Sequence, residues 1–393
     1  MYNYIENKTL ILMPEGRIDS TNAAEFEGEI AEAVAANPGF GIALDAEKLD
    51  YISSAGLRVL MKLRKQVGKA LPVVNVSPEV YDIFETTGFT ELLDVKKRLR
   101  EVSVEGCEKL GEGGNGSVYR LDDETIVKVY HGVTNTPEKI THNREVAREV
   151  FLHDIPTAIS FDMVRVGDEL GVVFEMMGTK PLTAALLNGD EAVRKYSLKI
   201  ADMLKNLHST EFDPGSLPDA RDPYRNGTNW MWKNGWLSDS EYERVSNLIE
   251  AIPARNSFIH QDFHPGNLML QDDELMLIDV DDSGLGHPLL DLVGMYQVYE
   301  VASRTAWGNA HFGEAAKRFP EMWDIIIRQY FETDDEETIK EINRILSGYA
   351  MIKHIHGVAS VPGLPDEQRR TAVDAVKKRL FDVIDTLKPI PPV

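Results

Sequence analysis

Residues 258–282 read FIHQDFHPGNLMLQDDELMLIDVDD, with polar residues at fixed points around short apolar runs. His260, Asp262 and Asn267 fit H-x-D-x-x-x-x-N, and Asp279 follows the apolar run 275–278, which predicts a strand. A carboxylate in such a loop can accept a hydroxyl proton beside a phosphoryl group, while an amide and a second carboxylate hold Mg²⁺ against nucleotide phosphates. A helix cap or a turn explains any one of these residues, but not the joint pattern.

A glycine-rich stretch lies upstream of this segment. Residues 110–119 read LGEGGNGSVY, with Gly111, Gly113 and Gly116 as G-x-G-x-x-G. The flanks predict strand–turn–strand rather than strand–turn–helix, which disfavours a dinucleotide-binding fold. Glycines let the hairpin close over phosphates without side-chain clashes. Lys128, in a predicted strand, supplies positive charge for those phosphates.

The ammonium of Lys128 needs a carboxylate to orient it. Glu145 and Glu149 are the candidates, on the predicted helix 143–153. We favour Glu145, because it lies farther from the helix stop at Pro156. For either glutamate, a solvated helix face is the alternative interpretation.

Together these motifs resemble the aminoglycoside phosphotransferase and choline kinase group, small-molecule kinases with the protein-kinase-like fold. The resemblance covers roughly residues 105–390 and is most specific from His260 to Asp291. There the group's I-D, G-x-P and D-L elements occur in order, at Ile278-Asp279, Gly286 with Pro288, and Asp291-Leu292. The resemblance implies a phosphotransferase that uses ATP and Mg²⁺.

The resemblance also implies the roles of individual residues. Asp262 becomes the catalytic base, with His260 as a second catalytic residue, and Asn267 and Asp279 become Mg²⁺ ligands. Residues 174–177 become the adenine hinge.

Within that hinge the binding residues are Glu175 and Met177. Gly111, Gly113, Gly116, Lys128 and Glu145 complete the expected nucleotide site. Asp291 is expected to tie the catalytic loop in place.

Protein kinases differ from this chain just after the metal-binding aspartate. They continue with Phe-Gly and a long activation segment, whereas Val280-Asp281 follows Asp279 here and Asp291 comes soon after. The difference favours a small-molecule hydroxyl as acceptor, although a protein acceptor stays open. Asp281 and Asp282 fit either metal or substrate contacts or a solvated turn.

The first hundred residues have a different pattern. Buried strands are predicted at 10–13, 41–45 and 71–76, and amphipathic helices near 23–36, 55–67 and 78–87. This alternation predicts a small sheet with helices packed on it.

The segment is similar to the STAS domain of anti-sigma factor antagonists. The matching residues are Gly16 to Asp19, Asp45, Leu49 to Leu60, Asn75 to Ser77 and Thr87 to Phe89. By position, Ser54 matches the serine that this family phosphorylates, at the start of a helix. Since the usual order of aspartate and serines in that loop is altered here, a simple helix cap is the alternative.

We therefore expect an α+β two-domain chain. A STAS-like α/β domain spans 1–98, and a bilobal protein-kinase-like fold follows, with a β-rich N-lobe at 99–178 and a helical C-lobe at 179–393. The charged run 95–104 is the expected linker.

Composition restricts the partners. A net charge of −22 disfavours nucleic acid and suits a cationic substrate. No apolar run approaches ~20 residues and no signal peptide is visible, so we expect a cytoplasmic protein without a membrane span. Because Cys107 is the only cysteine, an intrachain disulfide is excluded.

Three tryptophans lie within residues 228–236. They either hold a substrate ammonium group or simply pack a loop.

Three functions remain open from the sequence. The first is an active small-molecule kinase with a STAS domain for regulation or partner binding. The second is a signalling protein whose STAS domain binds an anti-sigma-type partner and whose kinase domain phosphorylates that partner or Ser54. The third, a pseudokinase scaffold, is weakest, because all the motif residues occur together.

Overall fold

The computed structural model describes residues 1–113, 116–178, 180–361 and 363–390, and its internal contacts form two units. One unit comprises residues 1–103 with 163–168, and the other comprises 104–162 with 169–393. Each contains its own cluster of buried hydrophobic side chains.

The first unit alternates strands and helices. In chain order they are β1 (Tyr2–Glu6), β2 (Thr9–Met13), β3 (Gly16–Ile18), α1 (Ala23–Ala36), β4 (Gly41–Asp45), β5 (Leu49–Ile52), α2 (Ser54–Val67), β6 (Pro72–Val76), α3 (Pro78–Thr86), α4 (Phe89–Leu92), β7 (Asp94–Lys97) and β8 (Arg100–Glu101). Five of the strands form one sheet in the order β1-β2-β4-β6-β7. The β2-β4-β6-β7 neighbours are parallel and β1 is antiparallel to β2.

Alternation of side chains explains this sheet. Along β2 every second residue is buried, so that Leu10 and Leu12 point into the core. Helix α2 approaches the β3–β5 pair so closely that a Cβ on Gly56 would lie 2.6 Å from Ile52 and 2.7 Å from Ile18. Gly56 therefore sets the position of the first turn of α2.

The predicted strands and helices of this unit are confirmed to within two residues. The two edge strands of its sheet, β1 and β7, were not predicted. All five residues of β1 are exposed, so β1 gives no hydrophobic signal. The run predicted as a linker from residue 95 begins inside β7, because charged side chains are tolerated on an edge strand.

The second unit begins with an antiparallel sheet. Its strands are β9 (Lys109–Gly113), β10 (Gly116–Arg120), β11 (Thr125–Tyr130) and β13 (Glu169–Glu175), in the order β13-β11-β10-β9. Helix α5 (Pro137–Leu152) and strand β12 (Ser160–Val166) lie between β11 and β13 in the sequence.

Helices dominate the rest of the second unit. The helices are α6 (Leu182–Ala185), α7 (Asp190–Ser209), α8 (Asp222–Lys233), α9 (Asp239–Glu250), α10 (Leu289–Tyr296), α11 (Ala306–Phe312), α12 (Phe319–Phe331), α13 (Glu336–Ser360) and α14 (Asp366–Val383). The strands are β14 (Lys180–Pro181), β15 (Phe258–Ile259), β16 (Leu268–Gln271), β17 (Glu274–Leu277) and β18 (Gly284–Leu285). Within the described ranges, no helix combines the length and apolar character that crossing a bilayer requires.

Candidate active site

Residues 260–267, the predicted catalytic loop, follow β15, a fully buried strand that pairs with β18. The loop passes through Gln261, whose φ is 69°, and ends at Asn267, one residue before β16. The β16–β17 hairpin returns the chain, so that the Ile278 amide donates to the Asn267 carbonyl at 3.0 Å. Asp279, at φ 59°, therefore stands beside the loop. Left-handed backbone at two non-glycine residues indicates a segment held by its surroundings.

Asp291 is the buried residue that holds this loop. It is 1% exposed and accepts hydrogen bonds from the backbone amides of His260 at 3.1 Å and Gln261 at 2.6 Å. His208 on α7 bonds the same carboxylate at 3.0 Å and the Tyr330 hydroxyl at 2.8 Å. Burial raises the pKa of Asp291, but its bond with His208 and the nearby imidazoles keep that pKa below the usual range. The prediction that Asp291 ties the loop is confirmed.

His260 supports the loop from inside the core. Its ring is fully buried; Nδ1 accepts from the Asp262 amide at 3.3 Å, and Nε2 lies 3.3 Å from the Ile278 carbonyl. Since both ring nitrogens contact backbone, the structure gives His260 a positioning role in place of the predicted catalytic one.

The Asp262 side chain, in contrast, is 58% exposed. Asn267 Nδ2 donates to its carbonyl at 2.9 Å and to its Oδ2 at 3.1 Å. Desolvation raises the pKa of this carboxyl, but His264, His260 and Lys353 outweigh that effect and lower it to about 2. Asp262 is therefore an ionised acceptor whose orientation is fixed by Asn267.

His264 is a site residue that sequence reasoning missed. Its Nδ1 accepts from the Gly266 amide at 3.0 Å, which leaves the proton of a neutral ring on Nε2. That Nε2 lies 3.5 Å from Asp262 Oδ2. The only signal in the sequence was its position two residues after the predicted base.

Lys128 meets two carboxylates from the segment after β17. Its Nζ lies 2.5 Å from Asp279 Oδ1 and 2.8 Å from Asp281 Oδ2, and Asn143 Nδ2 donates to the same Asp281 oxygen at 3.1 Å. Burial alone would lower the pKa of Lys128, but Asp281 and Asp279 raise it above its ordinary value. Of the two interpretations of Asp281, the solvated turn is excluded, because its side chain is only 14% exposed.

The predicted pairing of Lys128 with Glu145 is wrong in this structure. Glu145 is exposed on α5, and Glu149 lies 3.7 Å from His153. The buried residue of α5 that faces the site is Asn143. Asn143 and Glu145 are two residues apart, which is about 200° around a helix, so only one can face Lys128.

The predicted phosphate loop is partly described. Gly116 on β10 pairs with Gly113 on β9, and Gly111 pairs with Val118 two residues along. Residues 114 and 115 lie outside the described chain. A Cβ on Gly116 would stand 2.1 Å from the Val129 carbonyl oxygen, so β10 requires glycine there. Phosphate binding by these glycines stays a prediction.

The predicted hinge follows β13. The Glu175 amide donates to Ile159 and the Met176 amide to Glu124, while Met177 is buried. The chain then passes β16 closely. A role for Glu175 and Met177 in adenine binding stays a prediction.

The tryptophans of 228–236 lie mainly on α8, not in a loop. Trp232 stacks on Tyr242, and Trp230 packs edge-on against His356. Trp236 is 8% exposed, with Arg370 4.9 Å from its ring centroid. These contacts favour the packing interpretation over an ammonium-binding cage.

The donor atoms beside Asp262 suit Mg²⁺. Asn267 uses its Nδ2 on Asp262, which leaves Oδ1 for a ligand, and the Asp279 carboxylate is 44% exposed. No cluster of three His, Cys, Asp or Glu side chains suited to a metal occurs among the described residues. Mg²⁺ is commonly held by one or two carboxylates together with substrate phosphates.

Ser53 and Ser54 begin helix α2 in the first unit. Ser53 is the N-cap, and its hydroxyl accepts from the Ala55 amide at 3.2 Å. Ser54 is exposed at the first helical position. The cap is therefore Ser53, and the Ser54 hydroxyl faces solvent.

Comparison with known proteins identifies both parts of the chain. The phosphotransferase enzyme family matches residues 106–325, and the STAS domain matches residues 3–102. A protein of Bordetella bronchiseptica named as an anti-sigma factor antagonist, BtrV, is 37% identical over 89 residues, which are 22% of this chain and 76% of that protein.

Two solved structures are also similar to the chain. ADP-bound aminoglycoside phosphotransferase APH(2'')-Ib is 16% identical, with a TM-score of 0.46 over 77% of this chain and 98% of that one. The streptomycin–ATP–APH(2'')-IIa ternary complex is 18% identical, with a TM-score of 0.44 over 76% and 95%. The chain carries an N-terminal STAS domain related to an anti-sigma factor antagonist. Because the phosphotransferase match spans more than half of this chain, the chain belongs to the phosphotransferase enzyme family.

Proposed function

We propose that this protein transfers the γ-phosphoryl group of ATP to a hydroxyl of a small molecule. The observation that carries the proposal is the Asp262 carboxylate, which is exposed, ionised and oriented by Asn267, with Lys128 and Asp279 paired nearby. Membership of the phosphotransferase family supports it. A cytoplasmic location fits an enzyme that consumes ATP.

In the proposed reaction, Asp262 accepts the proton of the acceptor hydroxyl. The acceptor oxygen bonds to the γ-phosphorus, and the bond from that phosphorus to the β–γ bridging oxygen breaks, leaving ADP. Lys128 moves from Asp279 to the phosphates and stabilises their charge. His264 and Asn267 keep Asp262 directed at the hydroxyl throughout.

Asn267 and Asp279 would hold Mg²⁺, with Asp281 beside them. When bound, the ion neutralises charge on the nucleotide phosphates. Asp281, which accepts a hydrogen bond from Lys128, would hold that lysine near the site when Asp279 is engaged by the metal.

The segment after the metal site supports a small acceptor. Residues 283–293 are all buried, and they pass from β18 directly into α10. A peptide acceptor needs an exposed platform at this point, which active protein kinases build from the activation segment.

The proposal divides the chain by role. Residues 1–98 would regulate the enzyme or bind a partner, 99–178 would form the nucleotide-binding lobe, and 179–393 would carry catalysis and acceptor binding.

Incubation with labelled ATP and Mg²⁺ tests the proposal, first with the protein alone and then with amino-alcohols, sugars and aminoglycosides. We expect label on a small molecule and none in Asp262→Asn. Absence of transfer to every compound would refute it.

A second candidate function is phosphorylation of an anti-sigma-type partner or of Ser54 itself. The exposed Ser54 hydroxyl and the relationship to BtrV favour this alternative. Label that appears on the protein in the same assay, and is lost in Ser54→Ala, would support it.

A further inference from the structure

Lys353 is a half-buried lysine without a counter-ion. It lies on α13, and its Nζ forms no hydrogen bond or ion pair within the part of the chain that the structure describes. Lys128, by comparison, contacts two carboxylates. A partly desolvated ammonium group without a protein partner is suited to pair with an anion.

The Lys353 ammonium borders the catalytic loop. It lies 3.7 Å from the point where a Cβ on Gly294 would stand, and the Gln261 carbonyl, one residue before Asp262, lies 3.4 Å from the same point. Its Nζ is also 5.6 Å from the centroid of the Tyr224 ring. Gly294 therefore leaves the space between this lysine and the loop free of a side chain.

Desolvation lowers the pKa of Lys353, while Asp262, Asp291 and Asp282 act in the opposite direction without reversing the shift. Asp291 already bonds His208 and two loop amides. The positive charge of Lys353 thus lies within the field of the catalytic base, but no carboxylate is paired with it.

Three hydroxyl groups without partners lie on α8 and α13, the helices that carry Tyr224 and Lys353. Tyr224 and Thr228 on α8, and Tyr349 one turn before Lys353 on α13, are each less than 5% exposed. Their hydroxyl oxygens are buried and have no hydrogen-bond partner among the described residues. Each can donate one hydrogen bond, so this region holds hydrogen-bond donors as well as a cation.

We propose that Lys353 binds an oxyanion of the acceptor, a carboxylate or a phosphate, beside Asp262. The inference rests on the proposed phosphotransferase function and specifies its substrate class. It departs from the cationic substrate expected from net charge, because an ammonium at the acceptor side repels cations and attracts anions.

Matched acceptors test the proposal. Each set keeps one scaffold and changes one group: glycerol, D-glycerate, glycerol 3-phosphate and 3-amino-1,2-propanediol, and then glucose, glucuronate, glucose 6-phosphate and glucosamine, with kanamycin as a polycation. ADP formation with Mg·ATP is measured for each. We expect turnover to concentrate on the carboxylate or the phosphate members, and the difference between those two arms identifies the anion.

Variants separate a binding role from a structural one. Lys353→Met should reduce kcat/KM for the anionic acceptor by about 10- to 100-fold, in the range for losing a charged hydrogen bond, with KM for ATP unchanged within about twofold. Lys353→Arg should recover part of that loss. Lys340→Met, on the exposed face of the same helix, is the control.

Transfer that favours neutral or cationic members, or is equal in Lys353→Met and wild type, overturns the inference and leaves the proposed function intact. Equal losses for neutral and anionic acceptors also overturn it, because they indicate a structural role. Absence of transfer to every compound refutes the proposed function, and the inference falls with it.

Discussion

Lys128 and Asp279, 151 residues apart in the sequence, form an ion pair of 2.5 Å. A protein cation therefore occupies the carboxylate that is proposed to bind Mg²⁺, and Asp281 offers the same lysine a second partner. Under the proposed metal assignment, nucleotide binding exchanges one cation for another at Asp279.

This exchange predicts that Asp279→Asn binds ATP with little dependence on Mg²⁺. The substitution removes the charge and keeps a residue that tolerates positive φ. Titration of nucleotide with Mg²⁺ and with EDTA measures the difference, which should be large in wild type. Asp374→Ala, exposed on α14, serves as the control. Equal Mg²⁺ dependence in Asp279→Asn and wild type would contradict the metal assignment.

Replacing Asp262 should impair chemistry more than binding. Asp262→Asn is expected to reduce turnover by ~10²-fold or more, as for loss of a general base, while the affinity for ATP changes little. Steady-state kinetics measure the turnover, and nucleotide titration measures the affinity for ATP. Unchanged turnover would remove Asp262 from the mechanism.

The low pKa of Asp262 predicts a flat pH response near neutrality. Because its folded pKa, about 2, is below the ordinary value of 3.8, the stability it contributes is present above pH ~4 and is lost as the pH falls toward 2. Between pH 5 and 8, protonation of Asp262 should therefore not limit kcat/KM. An acid limb of kcat/KM within that pH range that is assigned to Asp262 by its loss in Asp262→Glu would conflict with this pKa.

Asp281, not Glu145, should position Lys128. We expect Asp281→Asn to raise KM for ATP several-fold, because Lys128 loses the carboxylate that remains when Asp279 binds metal. Glu145→Gln should leave KM unchanged within about twofold, since Glu145 is exposed. A larger increase of KM for ATP in Glu145→Gln than in Asp281→Asn would show that α5 rotates in the active enzyme.

The two serines at the start of α2 should separate by experiment. Ser53→Ala removes the N-cap and should destabilise the STAS domain by about 0.5–2 kcal/mol, whereas Ser54→Ala should be nearly neutral. Denaturant unfolding measures both. After incubation with ATP, peptide mass spectrometry should find phosphate on Ser54 and not on Ser53 if the second function holds, and no phosphate on either if α2 is only capped.

Local patterns predicted much of this molecule, and long-range contacts account for the rest. The β11 strand and the Asp262–Asn267 spacing follow from short-range sequence signals, and the structure places them as expected. The helix containing Glu145 was predicted to start at 143, but it starts at Pro137, so its facing side stayed undetermined.

Lys353 and His208 show more clearly which contacts a local sequence pattern cannot predict. His208 bonds Asp291 across 83 residues, and Lys353 on α13 lies across Gly294 from the Gln261 carbonyl. Neither residue belongs to a local motif, since both positions depend on how helices pack.

The hydrogen bonds of Asp291 have a consequence for how such enzymes diversify. The shape of the catalytic loop is set by α7 and α10, whereas the side chains near the inferred acceptor anion come from α8 and α13. Substitutions on the latter pair can exchange one acceptor for another while proton transfer stays intact. Related enzymes built on one scaffold can therefore differ in acceptor specificity and share the same catalytic reaction.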